Sequence, residues 1–197
     1  MSGTSGRTLL IGCGVLRREL ELLIGQNAWD LDTWFIDSSL HVDLEVLSRE
    51  LEAALALPPR RKVVCYGVCH PRIDQMIARV GAVRTPGQNC VELLLGPERF
   101  TAELACGAFF LLEEWALRWD EIIERTFGDH PAVIRDIFRE DRTALVGVRT
   151  PCSGDFREAA EAAGHKVGLP VRWLDAGLEH LEGVLAATLD RAEGRAS

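Results

Sequence analysis

The chain has 197 residues, is 47% hydrophobic and 26% charged, and its 22 Lys and Arg against 30 Asp and Glu leave a net charge of −8. That length and apolar content support a full core and exclude a disordered chain, while the acidic balance argues against broad electrostatic binding to nucleic acid or an anionic membrane. No apolar run approaches the ~20 residues that span a bilayer. Residues 1–6 are small and polar with no apolar stretch behind a basic start, so they read as a frayed leader and the protein as cytoplasmic.

Residues 8–12 (TLLIG) form an apolar run closed by glycine, the pattern of a buried parallel strand, and 15–24 continues with apolar residues at helical spacing. Residues 33–37 (TWFID) predict a second strand, ended by Asp37-Ser38-Ser39, and 42–57 a helix that Pro58 and Pro59 stop. A third strand is expected at 62–66 (KVVCY), a helix at 72–80 and a short fourth strand at 81–85. The pattern then turns helical: 98–127 reads as one or two long helices rich in Trp, Phe, Leu and Glu, and 130–139 as another, with Pro131 suited to its first turn. Strand 143–148 (TALVGV), helix 154–164, strand 171–174 and helix 177–192 close the chain. This alternation predicts a single α/β domain over 1–197. It has a mostly parallel open sheet of about five to six strands, helices on both faces, and a helical insertion at 98–139 after the fourth strand.

Six cysteines in a chain without an export signal argue for metal ligation, catalysis or burial rather than structural disulfides. Cys65 falls inside the third strand and Cys106 on an apolar helix face, so both read as packing residues. Cys13, Cys69, Cys90 and Cys152 each follow a strand, in turns that contain glycine: Gly12-Cys13-Gly14, Gly67-Val68-Cys69, Pro86-Gly87-Gln88-Asn89-Cys90 and Pro151-Cys152-Ser153-Gly154. Ligands of open parallel sheets bind outside the carboxyl ends of the strands, where loops remote in sequence converge. Soft thiolates brought together there select zinc, copper(I) or an iron–sulfur cluster. The spacing therefore nominates Cys13, Cys69 and Cys90 as metal ligands with Cys152 as a candidate fourth, against the plainer reading of small residues buried in tight turns. His70, His41 and Asp37 stand beside the same turns as candidates for proton transfer, and Gly12, Gly14, Ser38, Ser39 and Gly67 as backbone and hydroxyl contacts to a cofactor. His130 reads as a helix-start residue, His165 and His180 as exposed. Trp115 and Trp119, four residues apart on one helix face, read as core, with a lid over a flat group as the sharper alternative.

The segments Gly12-Cys13-Gly14-Val15-Leu16, Ile36-Asp37-Ser38-Ser39-Leu40-His41, Tyr66-Gly67-Val68-Cys69 and Asn89-Cys90-Val91-Glu92-Leu93-Leu94-Leu95-Gly96 resemble the motifs of the family catalogued as domain of unknown function 1638. The resemblance runs in order over nearly the whole chain. Members of that family tend to carry cysteines at the turns matching Cys13, Cys69 and Cys90, which supports treating the three as one site. His70-Pro71 and the Pro151-Cys152 turn depart from the pattern. The resemblance further implies a place in one-carbon metabolism, because members are often encoded beside corrinoid-dependent methyltransferases. A corrinoid protein or methyltransferase is then the implied partner, and a corrinoid or folate a cofactor the partner would supply. Two functions remain open. One is a metalloprotein with a three-cysteine zinc or iron–sulfur centre, acting as a methyltransferase or as a redox or reactivation accessory. The other is a metal-free binding or accessory subunit for a corrinoid, pterin or methyltransferase partner.

Overall fold

The computed structural model describes residues 7–58 and 61–194. The leader expected at 1–6 and the helix stop at Pro59 lie outside the described residues. The chain divides into two compact units, residues 1–93 with 179–197 and residues 94–178.

The first unit is built on strands β1 (Thr8–Cys13), β2 (Leu31–Ile36), β3 (Lys62–Cys65) and β4 (Val83–Arg84), paired in parallel in the order β2-β1-β3-β4. Every residue of β1 and β3 is buried, as expected of central parallel strands covered on both faces, which is why these runs show no polar alternation. Helices α1 (Arg17–Gln26), α2 (Leu44–Ala56) and α3 (Ile73–Arg79) supply the crossovers, and the C-terminal helix Glu179–Ala192 packs on β3 and β4. Helix α2 starts at Asp43, whose carboxylate accepts the Val46 N–H at 3.1 Å and so satisfies an otherwise orphaned donor. Leu10, Ile11, Leu16, Leu20, Leu47, Leu51, Val63 and Val64 are fully enclosed, each contributing roughly 1.5–3 kcal/mol of transfer free energy. The chain leaves β1 for β2 on one side and returns to β3 on the other. Strand order therefore reverses between β1 and β3, the place at whose carboxyl ends open parallel sheets bind ligands.

Helix α4 (Cys90–Leu95) carries the chain into the second unit, which contains α5 (Pro97–Ala105), β5 (Ala108–Leu111), α6 (Glu113–Leu117), α7 (Trp119–Phe127), α8 (Pro131–Asp141), β6 (Ala144–Arg149), α9 (Arg157–Val167) and β7 (Val171–Asp175). Its three strands pair in parallel in the order β5-β6-β7. Its core joins Leu111, Trp119, Ile123, Ile134, Phe138, Leu145, Phe156 and Val167. Trp119 meets Phe109 and Phe138 edge-on, with ring centroids 5.7 and 5.9 Å apart, the arrangement that the ring quadrupoles favour.

The α/β class and the parallel pairing agree with the sequence reading, but the strands divide between sheets of four and three rather than forming one sheet of five to six. The expected helical insertion at 98–139 also needs correction, because it contains β5. Gly107, at φ +76°, ends α5, and its carbonyl accepts the Thr143 N–H at 2.8 Å, which registers the following residues against β6. The run Phe109 to Leu112 is short and uniformly apolar, so its periodicity could not separate strand from helix. Trp119 is 3% exposed and Trp115 packs against the same cluster, which places both in the core of the second unit. No helix among the described residues is long and apolar enough to cross a membrane.

Candidate functional site

Four loops of the first unit leave the carboxyl ends of β1 to β4, and their side chains meet. Cys13 is the last residue of β1 and fully buried. After β2, Asp37 accepts the Ser39 N–H at 2.8 Å and starts a 3-10 turn, Ser38–Val42, that carries His41. After β3, Tyr66 and Gly67 lead to Cys69, which is partly exposed. After β4, Asn89 accepts the N–H groups of Val91 and Glu92, both at 3.0 Å, while the Glu92 carboxylate accepts that of Gln88. This reciprocal cap fixes Cys90, 7% exposed, at the first position of α4.

Close backbone approach holds these loops together. A Cβ at Gly67 would lie 2.3 Å from the Asn89 Cα and 2.4 Å from the Gln88 carbonyl oxygen, and Val68 N–H donates to that same carbonyl at 2.7 Å. A Cβ at Gly14 would lie 2.9 Å from the Ile36 carbonyl, and one at Gly12 the same distance from the Phe35 ring. These three glycines, nominated as cofactor contacts, thus allow close packing within the fold itself, against backbone at Gly67 and Gly14 and against the Phe35 ring at Gly12. Arg84 completes the frame. Its guanidinium donates to the carbonyls of Tyr66, Thr85 and Gly87 at 2.9 to 3.1 Å, tying the loop after β3 to the loop after β4, and it pairs with Asp74 at 2.8 Å.

The side chains lie close enough to bias one another's charge: Cys90 acts on Cys13, and His41 acts on both Cys13 and Cys69. His41 Nδ1 lies 2.6 Å from the Ser38 carbonyl oxygen. A carbonyl only accepts, so Nδ1 carries a proton. The imidazole also stacks on Tyr66, with ring centroids 5.6 Å apart and planes 9° from parallel. Tyr66 is fully buried, and its hydroxyl has no hydrogen-bond partner of good geometry; the Cys13 sulfur is the charged group it feels most.

Burial opposes ionisation of Cys13. Hydrogen bonds from Cys90 and His41, the imidazolium charge and the Val15 N–H outweigh it and hold its pKa well below the usual 9.0. Burial likewise opposes the charge on His41, but hydrogen bonds to Cys13 and Cys69 and the charges on both raise its pKa to about 11. The hydrogen bond to Cys13, followed by burial, pushes Cys90 well above 9.0. Burial and the Cys13 charge raise Tyr66. The set therefore favours negative charge on Cys13 and positive charge on His41, and disfavours ionisation of Cys90 and Tyr66. Such a set can bind a soft cation, hold an electrophile or exchange protons.

The structure thus brings together Cys13, Cys69, Cys90 and His41, with Ser38 contributing a carbonyl and Asp37 a cap. Ser39 serves that cap through its N–H. His70 is buried at 4% exposure, and its Nδ1 accepts the Arg72 N–H at 3.1 Å, which satisfies the chain just before α3. Cys152 belongs to the second unit, in the turn after β6, where its N–H donates to Thr150 Oγ1 at 3.1 Å. Cys65 is buried, and its thiol is pushed up to about 12 mainly by burial, against a hydrogen bond with Thr85. Cys106, expected to pack on a helix face, is exposed instead, because α5 stops at Ala105 and leaves it in the cap before Gly107. His130 caps α8, and His165 and His180 are exposed as expected. Among the described residues, no three His, Cys, Asp or Glu side chains stand around a common point as a ready-made metal site. Sequence reasoning gave no role to Tyr66 or Arg84. Tyr66 is the single tyrosine of the chain, directly after β3, and Arg84 is the last residue of a two-residue strand.

Two solved structures resemble the chain at low identity. An ABC transporter solute binding protein from Bacillus halodurans C-125 with bound myo-inositol is 14% identical over 98% of this chain and 91% of its own, with a TM-score of 0.43. A sugar transporter from Clostridium phytofermentans is 8% identical over 98% and 95%, with a TM-score of 0.46. No curated protein matches the chain significantly. The family described as "Protein of unknown function (DUF1638)" matches residues 35–185, more than half of the sequence and three of the four loops that build the site, and the chain belongs to that family.

Proposed function

We propose that Cys13, Cys69 and Cys90 bind a thiophilic metal centre, zinc or an iron–sulfur cluster, at the carboxyl edge of the first sheet. The protein then serves corrinoid-linked one-carbon or methyl-transfer metabolism in the cytoplasm. The observation that carries the metal reading is that four loops bring Cys90, Cys13, His41 and Cys69 close enough to bias one another's charge. Three sulfurs beside an imidazole are a donor set suited to soft cations. The lowered pKa of Cys13 eases the loss of one of the protons that metal binding must displace. Bound there, zinc would hold a thiol acceptor as thiolate, and a three-thiolate cluster would supply an electron or an open iron. The chain's own residues do the rest. His41 holds the proton beside Cys13, and Tyr66 keeps its hydroxyl as a donor facing the sulfur. Arg84 holds the loops of Cys69 and Cys90 in register. The metabolic assignment, with a corrinoid protein or methyltransferase as partner and its corrinoid or folate as cofactor, rests on the family's association with corrinoid-dependent methyltransferases.

One observation favours the second reading, a metal-free binding or accessory subunit. Among the described residues, no three His, Cys, Asp or Glu side chains surround a common point. Elemental analysis and acid-labile sulfide on the full chain isolated without oxygen separate the two. The metal reading expects a stoichiometric centre in the wild type that Cys13→Ser, Cys69→Ser or Cys90→Ser removes. Wild-type protein free of metal, in a form that also fails to take up zinc or to accept a reconstituted cluster, would leave the accessory reading.

A further inference from the structure

We infer that the outer edge of β7 in the second unit takes up an extended peptide of a partner protein as an added strand, antiparallel to β7, with an acidic residue, an apolar residue and a basic residue at alternate positions. The inference is independent of the cysteine site and lies outside the reading above.

The open edge follows from the register. Leu145 N–H donates to the Pro170 carbonyl at 2.9 Å, and Ala176 N–H to the Arg149 carbonyl at 2.8 Å. Backbone groups alternate in direction along a strand, so Arg172 and Leu174 turn theirs toward β6 while Val171, Trp173 and Asp175 turn theirs outward. β7 is the last strand of its sheet, and these outward N–H and C=O groups have no partner among the described residues. The outer edge of β4 in the first unit is closed by contrast, since the Arg191 guanidinium donates to the Arg84 carbonyl at 3.1 Å. An edge left open is a template for another strand.

The side chains beside this edge say what kind of strand it fits. A Cβ at Gly147 would lie 2.5 Å from the Trp173 ring, and one at Gly164 2.7 Å from Val171 Cγ2, so the odd-numbered side chains of β7 lie on the face that α9 covers. The bare Gly147 lets the Trp173 ring lie across β6, where Phe156 meets it at 5.0 Å and the Arg149 guanidinium stands 5.4 Å over it. Two cavities flank this fixed ring. One, of about 280 Å³, is lined by Arg149, Ser153, Asp155 and Arg157; the other, of about 320 Å³, by Glu161, His165, Leu169 and Val171. In an added strand the residue facing Trp173 has same-face neighbours two positions away on either side, about 7 Å distant, and each reaches one cavity. Arg149 is matched by Asp175 at 2.8 Å, and Asp155 accepts the Arg157 N–H at 3.1 Å. The Arg157 guanidinium and the Glu161 carboxylate have no ion-pair partner among the described residues. These two unmatched charges call for an acidic side chain at the first cavity and a basic one at the second. A second copy of this chain fits worse. Pairing β7 with itself about Trp173 would set Asp175 of the second copy against the cavity of Glu161, like charge on like.

The test is amide NMR of the full-length protein titrated with the capped peptide Thr-Glu-Thr-Val-Thr-Lys-Thr. The expected result is saturable binding with Kd below about 1 mM, with slowed exchange of the Val171, Trp173 and Asp175 amides. Methylating the peptide nitrogen of Val, which faces Trp173, abolishes binding, whereas methylating that of the next Thr, which faces away, does not. The same peptide with Glu and Lys exchanged binds more than about 10-fold more weakly, and the double variant Arg157→Glu with Glu161→Lys reverses that preference. Circular dichroism checks that the variant folds, and the two methylated peptides test the strand geometry on the wild type alone. No binding of the first peptide, equal loss from both methylations, or equal affinity for the two charge orders would overturn the proposal. Protection of the same three amides in the absence of peptide, with a dimer in sedimentation, would give the edge to a second copy and overturn it as well.

Discussion

The two units use the same device, a parallel sheet with loops at the carboxyl ends of its strands, and put it to different ends. In the second unit these loops look after themselves. Glu113 accepts the Gly154 N–H at 2.9 Å, Thr150 and Ser153 bond to each other's turn, and Arg149 pairs with Asp175 at 2.8 Å across the ends of β6 and β7. Every one of those contacts completes a turn or a surface pair. In the first unit the backbone needs are met by Asp37, Asn89, Glu92 and Arg84, while Cys13, Cys90 and Tyr66 are buried and the partly buried His41 stacks on Tyr66. Burying a thiolate–imidazolium pair has a desolvation cost that a core of plain side chains would avoid. The difference teaches that strand-end geometry creates the opportunity for a site, and that buried polar side chains beyond the backbone's needs mark which edge to test.

The largest break in that symmetry is expected from the cysteines. Cys13→Ser should weaken metal binding by more than about 100-fold, since a direct ligand matters more than the outer partners that cost 10–100-fold. The matching substitution at the other unit's strand end, Cys152→Ser, should leave metal content unchanged, as should Cys106→Ser, with inductively coupled plasma analysis as the readout. Equal losses at Cys13 and Cys152 would erase the contrast between the two edges.

Two glycines sharpen the comparison through packing. A Cβ at Gly67 meets backbone of the Cys90 loop at 2.3 Å, whereas one at Gly147 meets the side chain of Trp173 at 2.5 Å. Both Gly67→Ala and Gly147→Ala should lower stability by about 1–3 kcal/mol in urea titrations, the range of overpacked sites. Only Gly67→Ala should also accelerate alkylation of Cys90, because only there must the site's own loops separate.

The thiolate–imidazolium pair gives the first unit a pH signature that the second lacks. Between about 6.5 and 9.0, the ordinary pKa values of the two groups, the folded and unfolded pair each bind one proton, so stability in the metal-free protein should be level. Below 6.5 the unfolded imidazole takes up a second proton while the folded pair holds one, and stability falls with acid toward the lowered pKa of Cys13. Above 9.0 the unfolded thiol ionises while His41 keeps its proton to about 11, and stability falls again, with the raised thiols of Cys65 and Cys90 adding to the alkaline loss. Urea midpoints across pH with a chelator present should trace this plateau, and His41→Gln should remove its acid limb. The smallest effect is expected at the other edge: Arg149→Ala deletes an exposed pair with Asp175 and should cost less than about 1 kcal/mol.

Much of this contrast was legible in the sequence, for a physical reason. Chain connectivity puts residues that follow parallel strands at one edge, so reading strands before Cys13, Cys69 and Cys90 was enough to bring the three together. His41 emerged the same way, from the turn after β2. The division into two sheets was not legible, because β4 has two residues and β5 lies in a run with no polar alternation. Tyr66 and Arg84 were missed because their roles depend on contacts across loops: a ring laid on His41 and a guanidinium reaching three carbonyls. His70 shows the opposite limit, since adjacency to Cys69 in sequence led to the helix start instead of the thiols.

The account stands or falls on whether the three thiols share one centre, and X-ray absorption at the zinc edge of the full-length, zinc-loaded protein measures that directly. The predicted first shell contains three sulfurs at about 2.3 Å. A shell of nitrogen and oxygen alone, or a single sulfur among light atoms, would contradict it.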